Sequence, residues 1–508
     1  MTTGRSRPQF DVLIVGAGIS GIGAGIELLR RGNPAFLILE AATDLGGTWR
    51  DNTYPGVAVD IASASYCFSF ETDYLWSNTF ARGAEIQAYV RHCAEKYGVA
   101  RHIKYGARAL RSRFDDDTWI TELHDGSVLT SRYLIAATGL FGPPRLPNIP
   151  GLDRFAGRAM HSAQWDQAYD LSAKRVAVIG TGASAVQLVP EIAPRVAHLS
   201  VFQRTPIWVA PRREAPLDRG SPRSLRRFAS VRRALRAFSE FEIAVLTFLI
   251  VNYRPMRPVV RLVERGVRAW MRREVRDPDT MARLLPSYGL GCKRPATSNR
   301  YLATFNRDNV SLVTRPIARV TAEGIITDDG VLHEADAIVL ATGFPTTDKG
   351  TGPTFEVVGR DGVELGHWWE AHRRQAYAGV SAPRFPNFFL TAGPYSGGFN
   401  WFAMLEANLA HIMACIDGAR ARGVTRVEVR SDAHERYMRH IWRRADGAVF
   451  THGVCAGSNS YYIDRHGDAS LPLPHTPWWR VLTARRTGDY RFGDGEHAHA
   501  PATAMQGT

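Results

Sequence analysis

The chain has 508 residues, of which 45% are hydrophobic and 22% are charged, and its formal net charge is +14. These values are typical of a globular protein with two to four domains. The five cysteines are scattered and include no CxxC pair, which argues against a disulfide framework or a zinc site. We therefore expect reduced cysteines, no bound metal and a cytoplasmic location.

The first ten residues lead directly into a strand-like run and do not resemble a signal peptide. The longest apolar stretch, residues 241–251, is about half the length needed to cross a bilayer. Much of the positive charge lies between residues 212 and 276, where a solvated helical face is the simplest interpretation. Without a nucleic-acid-binding motif we expect no nucleic acid and no membrane span, whereas contact with a membrane surface stays open.

The first predicted unit is a strand, a glycine turn, a helix and a second strand that ends in an acid. Residues 11–15, "DVLIV", form a mostly apolar run that leads into "GAGISG", and the run "AFLILE" ends at Glu40. Gly16 permits the tight turn, Gly18 lets the backbone approach a pyrophosphate, and Gly21 lets the helix pack closely on the strand. Glu40 is placed to accept a hydrogen bond from a ribose hydroxyl.

The same pattern returns in "VAVIGTGASA", residues 176–185, with Gly180, Gly182 and Ser184 at the turn. The following strand ends in Arg204 and Thr205 instead of a carboxylate. A guanidinium can bind a ribose 2′-phosphate bidentately, whereas a carboxylate would repel it. The first unit therefore suits FAD and the second NADPH, although Arg204 alone could be an ordinary surface arginine.

Two further predicted strands end in small residues, "YLIAATG" at 133–139 and "DAIVLATGF" at 336–344. Small residues are required where the backbone passes close to a dinucleotide. One precedes the second unit and one follows it, which predicts an α/β fold with two Rossmann-like dinucleotide-binding domains, the NADPH domain inserted in the FAD domain, plus a basic helical insertion. The predicted limits are 8–142 and 344–493 for the FAD domain, 143–215 and 286–343 for the NADPH domain, 216–285 for the helical insertion, and 494–508 for a disordered tail.

Two segments resemble the signatures of the Baeyer–Villiger monooxygenases. "FAGRAMHSAQWD", residues 155–166, matches the pattern FxGxxxHxxxW followed by Pro or Asp, and "GGTWRDNTYPGVAVD", residues 46–60, resembles a second signature. "FQRTP", "KRPATSNRYLATFNRDNV" and "ATGF" also resemble family segments in the expected order. The pair Trp165-Asp166 favours the branch that oxidises ketones over the branch that oxygenates nitrogen or sulfur.

The resemblance implies that NADPH reduces FAD, that the reduced flavin captures O2 as a C4a-peroxide, and that this peroxide attacks a ketone to give an ester or lactone. It implies that Arg294 keeps the peroxide anionic, that Asp60 orients Arg294, and that Lys293 joins Arg204 and Thr205 on the NADPH 2′-phosphate. The residues that it assigns to FAD binding in the second signature are Gly47, Thr48, Trp49, Tyr54 and Asp60. The residues that it assigns to coupling between the domains are Phe155, Gly157, His161 and Trp165.

Other interpretations stay open at this point. Without the resemblance, Phe155 and Trp165 would be core residues and His161 a structural histidine. A flavin disulfide reductase shares the nested order but needs a redox cysteine pair, and a nitrogen- or sulfur-oxygenating monooxygenase is the main alternative. A third possibility is a membrane-surface or nucleic-acid-binding protein that merely retains a flavin. The sequence does not specify the ketone or the oligomeric state.

The chain also departs from the family pattern. It has Tyr461 where the family often has a tryptophan that helps to hold the nicotinamide cofactor, and its loop 393–405 is unusual. Four aromatic residues in that loop could line an apolar pocket or pack beneath it. They are Tyr395, Phe399, Trp401 and Phe402.

Overall fold

The computed structural model describes residues 7–215, 229–346 and 352–493. The predicted tail 494–508 and the first part of the predicted helical insertion, 216–228, lie outside the described residues. Within them the chain forms two separate, largely parallel sheets flanked by helices. The central strands are continuous apolar runs because both faces of the sheets are covered, so side chains on either face are buried.

The strands, in chain order, are β1 (Phe10–Val15), β2 (Phe36–Leu39), β3 (Ile103–Lys104), β4 (Ala109–Asp115), β5 (Thr118–Leu123), β6 (Val128–Ala136), β7 (Arg158–His161), β8 (Arg175–Ile179), β9 (His198–Phe202), β10 (Val209–Ala210), β11 (Ala296–Thr297), β12 (Val310–Val313), β13 (Ile317–Val320), β14 (Gly324–Thr327), β15 (Leu332–Glu334), β16 (Ala337–Leu340), β17 (Glu356–Val358), β18 (Phe388–Leu390), β19 (Val427–Val429) and β20 (Tyr490–Phe492). The α-helices are α1 (Ile19–Arg30), α2 (Thr48–Asp51), α3 (Gly83–Lys96), α4 (Ala183–Ile192), α5 (Ala229–Val251), α6 (Tyr253–Glu274), α7 (Pro278–Leu284), α8 (Tyr301–Thr304), α9 (Leu365–His372), α10 (Trp401–Ala421), α11 (Ser431–Ala445) and α12 (Pro477–Thr483).

The first sheet has the order β17-β4-β5-β6-β1-β2-β3, and β18 also pairs with β6. Strand β1 is parallel to both neighbours, with Val12 opposite Phe36 of β2 and Tyr133 of β6. Strands from both ends of the chain therefore build one sheet. This arrangement agrees with a first domain that is interrupted by a second one.

The second sheet has the order β12-β9-β8-β16-β7, and all its pairs are parallel. Every strand in it comes from residues between 158 and 340. The antiparallel strands β13, β14 and β15 form a small separate sheet between β12 and β16. The predicted fold class, two Rossmann-like units with one inside the other, is confirmed, whereas the domain limits stay predictions.

A sharp glycine turn follows β1 in the first unit and β8 in the second unit. Gly16 and Gly180 have φ values of +108° and +118°, which favour glycine. A Cβ atom on Gly16 would lie 2.6 Å from the carbonyl oxygen of Ala137, and one on Gly180 would lie 2.4 Å from that of Ala341. The two small-residue strand ends predicted to pass near a dinucleotide therefore lie directly against the two turns.

The described part of the predicted helical insertion consists of α5, α6 and α7. Helix α6 packs on the second unit, where Val260 and Met271 enter the same core as its central strands. Helix α5 contacts the first unit, since Ser239 Oγ lies 2.8 Å from Ser65 Oγ. None of the described helices combines the length and apolarity that crossing a membrane requires.

The cysteine expectation needs correction, because Cys292 and Cys455 form a disulfide. They are separated by 163 residues, so no local spacing could have indicated the pair. The other three cysteines, Cys67, Cys93 and Cys415, are buried and free. The bond links the segment before Lys293 to a loop near the C-terminus.

Two glycines allow a matched test of the packing under the first turn. A Cβ atom on Gly21 would lie 1.8 Å from the carbonyl oxygen of Gly16, whereas one on Gly266, in the exposed part of α6, would have no neighbour within 4 Å. We expect Gly21→Ala to lower the free energy of unfolding by more than about 2 kcal/mol, because main chain must move to admit the methyl group. Gly266→Ala should raise it by about 0.5–1 kcal/mol through helix propensity.

Thermal and urea unfolding of the two variants and the parent protein, followed by circular dichroism, would measure both effects. Equal melting temperatures for Gly21→Ala and the parent would contradict the close contact between α1 and the turn.

Candidate active site

A single large cleft runs along the carboxyl ends of the strands in both sheets. Its volume is about 2460 Å³, whereas pockets for one small ligand usually measure about 300–1,000 Å³. All but one of the predicted cofactor-binding and catalytic residues line it. They are Gly16, Gly18, Glu40, Gly47, Thr48, Trp49, Tyr54, Asp60, Gly180, Gly182, Ser184, Arg204, Thr205, Lys293 and Arg294. The exception, Gly21, lies beneath the first turn.

The two glycine turns present the N-termini of α1 and α4 to the cleft. Gly18 and Gly182 occupy the N-cap positions, and neither helix start is capped by a side chain of the described residues. The first backbone N–H groups therefore remain available to an anion. A Cβ atom on Gly18 would approach only Gly47, and Gly182 has open space beside it, so both turns have room for a diphosphate.

The carboxylate of Glu40 is buried at the end of β2, on the wall of the cleft. One oxygen accepts from the backbone N–H of Ala17 at 2.9 Å, and the other accepts from Ala42 N–H and from Arg50 Nη1, both at 2.9 Å. A carboxylate offers about four lone-pair sites, so a ribose hydroxyl could still donate to it. Arg50 was missed by the sequence reasoning, although it directly follows Trp49 in the second signature.

Arg294 and Asp60 form a bidentate ion pair inside the cleft. Arg294 Nε donates to Asp60 Oδ2 at 2.5 Å, and Nη2 donates to Oδ1 at 2.7 Å. Nη2 also donates to the carbonyl oxygen of Phe399 at 3.1 Å. The side chains of Arg294 and Asp60 are only 22% and 28% exposed. The two residues come from different units of the fold, so this pair spans the cleft.

The charge state of Arg294 is fixed by its surroundings. Burial alone would lower its pKa, but the adjacent carboxylate of Asp60 outweighs burial and raises the pKa above its ordinary value. The guanidinium is therefore a permanent cation that cannot release a proton to a bound anion. Tyr66 lies in the same region, where its hydroxyl accepts from Trp49 Nε1 at 3.1 Å, and it was not predicted.

The four loop aromatics divide into two groups. Phe399 and Trp401 line the cleft, whereas Tyr395 and Phe402 are buried in two different hydrophobic cores. Tyr461 also lines the cleft, with its ring centroid 4.5 Å from that of Tyr462. Tyr461 therefore presents an aromatic ring to the cleft.

A cationic corner lies at the end of β9. Lys293 is desolvated by burial and repelled by Arg204, and these two effects lower its pKa to about 8. Thr205 Oγ1 accepts from Asn459 Nδ2 at 2.8 Å. Arg204 is exposed and Lys293 is half-buried, so the corner can receive an anion from the cleft. Asn459 was missed because its segment lies 254 residues away in the chain.

The second signature contacts α4 of the other unit. Gln187 accepts from Tyr54 Oη at 2.9 Å and donates to the carbonyl oxygen of Ala58 at 2.9 Å. A Cβ atom on Gly56 would lie 2.6 Å from the backbone oxygen of Gln187. Close backbone approach thus explains a glycine in this signature. Gln187 has no sequence signal of its own, because a glutamine in a helix is usually solvated.

The segment 155–166 lies beside the cleft and only partly on its wall. It supplies the edge strand β7 and the short turn after it, where Ala163 and Gln164 line the cleft. His161 Nδ1 accepts from the N–H of Ala163 at 3.1 Å, and burial lowers the pKa of the ring. Burial thus disfavours the charged form of the ring, and the hydrogen bond from Ala163 ties the ring to the turn.

The other residues of that signature pack locally. A Cβ atom on Gly157 would lie 2.4 Å from the backbone oxygen of Asp336, while Phe155 and Trp165 are half-buried against two cores of the second unit. Directly after this segment, Gln167 Nε2 donates to the carbonyl oxygen of Thr53 at 2.8 Å. The segment after Trp165 therefore contacts the second signature.

Comparison with known proteins agrees with this arrangement. The profile of the family "Pyridine nucleotide-disulphide oxidoreductase" matches residues 13–247. In this chain Cys67 and Cys93 are not paired, so the redox disulfide of a flavin disulfide reductase is missing there. A "Baeyer-Villiger monooxygenase" of Pseudomonas aeruginosa is 37% identical over 93% of this chain and 89% of that protein. Another, of Streptomyces coelicolor, is 36% identical over 92% and 89%.

Solved structures give the same result. OTEMO in complex with FAD and NADP superposes with a TM-score of 0.84 at 27% identity, covering 96% of this chain and 100% of the other. Closed cyclohexanone monooxygenase superposes with a TM-score of 0.82 at 27% identity, covering 96% and 99%. The named relatives do not favour the alternative of a nitrogen- or sulfur-oxygenating enzyme. On this evidence the chain belongs to the Baeyer–Villiger monooxygenases.

Proposed function

We propose that the cleft between the two sheets is the active site of this enzyme, a flavin monooxygenase that uses FAD, NADPH and O2 to insert one oxygen atom next to a ketone carbonyl. The observation that carries this assignment is the bidentate pair of Arg294 and Asp60 in the cleft that both glycine turns line. Within the pair, we assign Arg294 to anion stabilisation and Asp60 to its positioning.

The residues present fit the two cofactors. The turn at Gly16 and Gly18, with Glu40 at the neighbouring strand end, would hold the diphosphate and ribose of FAD. The turn at Gly180 and Gly182 would hold the diphosphate of NADPH. We assign the remaining FAD contacts to the second signature, and Ser184, Arg204, Thr205 and Lys293 to NADPH.

When bound, FAD supplies the redox chemistry, accepting hydride from NADPH and then activating O2. The protein's own contribution is charge and position. A nucleophile that attacks a carbonyl carbon must stay deprotonated, and Arg294 provides a positive charge without providing a proton. Asp60 fixes the guanidinium plane, and the carbonyl oxygen of Phe399 occupies one further N–H.

The walls of the cleft also indicate the kind of ketone. Phe399 and Trp401 form one side, and Ile250 and Val251, from the end of α5, contribute to another. Apolar walls exclude water and favour an apolar ketone. We infer an apolar ketone substrate on this basis. The cytoplasmic location stays a prediction.

We also assign Phe155, Gly157, His161 and Trp165 to coupling between the two units. The support is their place beside the cleft and the hydrogen bond from the nearby Gln167 to Thr53. Movement of the second unit would be transmitted through this bond to the second signature.

Arg294→Ala tests the assigned catalytic cation. We expect ester formation from a panel of linear, cyclic and aryl ketones to fall by about 10²-fold or more, because one preorganised cation is lost from the reacting centre. Reduction of the bound flavin by NADPH, followed at its visible absorbance in the absence of oxygen, should change little. NADPH oxidation would then release hydrogen peroxide instead of product.

Arg319→Ala is the matched control, since Arg319 is an exposed arginine of β13. Products are identified by mass spectrometry as the ketone plus one oxygen atom. Ester formation by Arg294→Ala at the parent rate would refute the assignment, and loss of FAD from that variant would assign Arg294 to cofactor binding instead.

The pKa of Lys293 predicts how NADPH binding depends on pH. With a pKa of about 8, Lys293 is charged below that pH and becomes neutral above it. Affinity for NADPH should therefore fall by about tenfold as the pH rises from 7 to 9.5, because one charge-assisted bond to the 2′-phosphate is lost. Affinity for NADH, which has no 2′-phosphate, should change much less over the same range.

Dissociation constants can be measured by fluorescence titration of the FAD-loaded enzyme. The control is Lys293→Arg, whose guanidinium stays charged throughout this range and should remove the pH dependence. The same decline in the parent and in Lys293→Arg would show that another group titrates.

A further inference from the structure

Helix α5 exposes a row of large apolar side chains to solvent. Phe238, Phe241, Val245 and Phe248 follow one another at helical spacing, so they share one side of the helix. Phe238 is 53% exposed and Phe241 is 66% exposed. Single exposed apolar residues are ordinary, but a contiguous row of them marks an interaction surface.

The rest of the helix is firmly held, so the row is not exposed by loose packing. Ser239 bonds Ser65, and Arg236 Nη1 donates to the carbonyl oxygen of Cys67 at 3.1 Å. Thr247, Ile250 and Val251 line the cleft. Helix α5 is therefore a wall of the cleft on one side and an exposed apolar surface on the other.

The next helix adds positive charge beside further apolar groups. Helix α6 exposes Leu262 (67%) and Val259. It also exposes a row of arginines at helical spacing, none of which forms an ion pair with another residue in the described ranges. They are Arg254, Arg257, Arg261, Arg265 and Arg272. We call the exposed sides of the two helices the α5–α6 surface.

We propose that the α5–α6 surface docks on an anionic lipid bilayer. Phenylalanine and aliphatic side chains enter the boundary between headgroups and acyl chains, while adjacent arginines bind anionic headgroups. Both kinds of group are present here on consecutive helices, and the exposed arginines, which form no ion pair within the described part of the chain, match the negative charge of such a membrane. Because neither helix is apolar enough to span a bilayer, the contact would be peripheral.

The same charges argue against two other occupants. A second copy of this chain would bring its own arginine row against the first, and like charges repel. A nucleic acid would satisfy the arginines but would leave the phenylalanine row without an apolar partner. Of these three occupants, an anionic bilayer is the one that satisfies both rows.

The test is co-sedimentation of the full-length, FAD-loaded enzyme with vesicles in 0.15 M NaCl. One set contains phosphatidylcholine alone, and the other contains about one third phosphatidylglycerol. We expect at least tenfold stronger partitioning onto the anionic vesicles. Phe238→Gln combined with Phe241→Gln should weaken this binding at least fivefold, and Arg261→Glu combined with Arg265→Glu should abolish it.

Two control variants carry the same types of substitution, apolar to glutamine and arginine to glutamate, at exposed positions outside the α5–α6 surface. Val331→Gln with Leu332→Gln alters two exposed apolar residues before and in β15, and Arg101→Glu with Arg319→Glu reverses two exposed charges. Both should bind vesicles as the parent does. All variants should keep the parent's flavin absorbance, melting temperature and NADPH oxidation, so that loss of binding is separate from loss of fold or activity.

Failure of the parent to bind anionic vesicles would overturn the proposal. Equal binding by the α5 double variant and the parent would also overturn it, since general charge attraction would then suffice. Light scattering that shows a parent dimer lost in the α5 variant would assign the surface to a second copy. Tighter binding to duplex DNA than to vesicles at this salt concentration would assign it to nucleic acid.

Discussion

The bidentate ion pair between Arg294 and Asp60 is the interaction on which the proposed active site depends. Its two halves come from different units of the fold. The guanidinium therefore has its observed position only when the two units are packed in this relative orientation. Desolvating two charges is costly unless their geometry is good and their remaining donors are used. Here two N–H groups meet the carboxylate, and Nη2 also meets a backbone carbonyl. The pair therefore specifies an arrangement of the two units.

Several other contacts stabilise the same relative orientation of the two units. Gln187 of α4 binds both ends of the segment 54–58, and Gly56 allows that segment to approach the helix backbone. Cys292 lies two residues before Arg294, and its disulfide bond to Cys455 links this segment to the loop 449–455. The disulfide therefore keeps the chain at Lys293 and Arg294 next to that loop.

The sequence predicted the parts of this site that depend on local geometry. A turn that needs φ near +110° and a close backbone contact leaves a glycine signal at Gly16 and Gly180, and the structure has both features. The pairing of Arg294 with Asp60, separated by 234 residues, came only from family resemblance. From the sequence alone, without the resemblance, both Arg294 and Asp60 would have been interpreted as solvated surface charges.

What the sequence missed are partners fixed by tertiary folding. Arg50, Tyr66, Gln187 and Asn459 have ordinary neighbours in the chain, and their roles arise only when distant segments meet. The Cys292–Cys455 pair is the same kind of case. The loop aromatics were undecided because an aromatic ring suits a core and a pocket wall equally well, and only the folded chain shows that Phe399 lines the cleft and Phe402 lies in a core.

Helix α5 shows the same limit at the level of a whole element. Its second half is apolar on nearly every side, a pattern typical of a helix buried in a large core or in lipid. From periodicity alone, no side could be chosen as the outer one. In the folded chain the side that includes Ile250 faces the cleft, and the side that includes Phe241 faces solvent. One helix therefore meets two environments, the cleft on one side and solvent on the other, and the exposed arginines of α6 lie at the surface because water solvates their charges there.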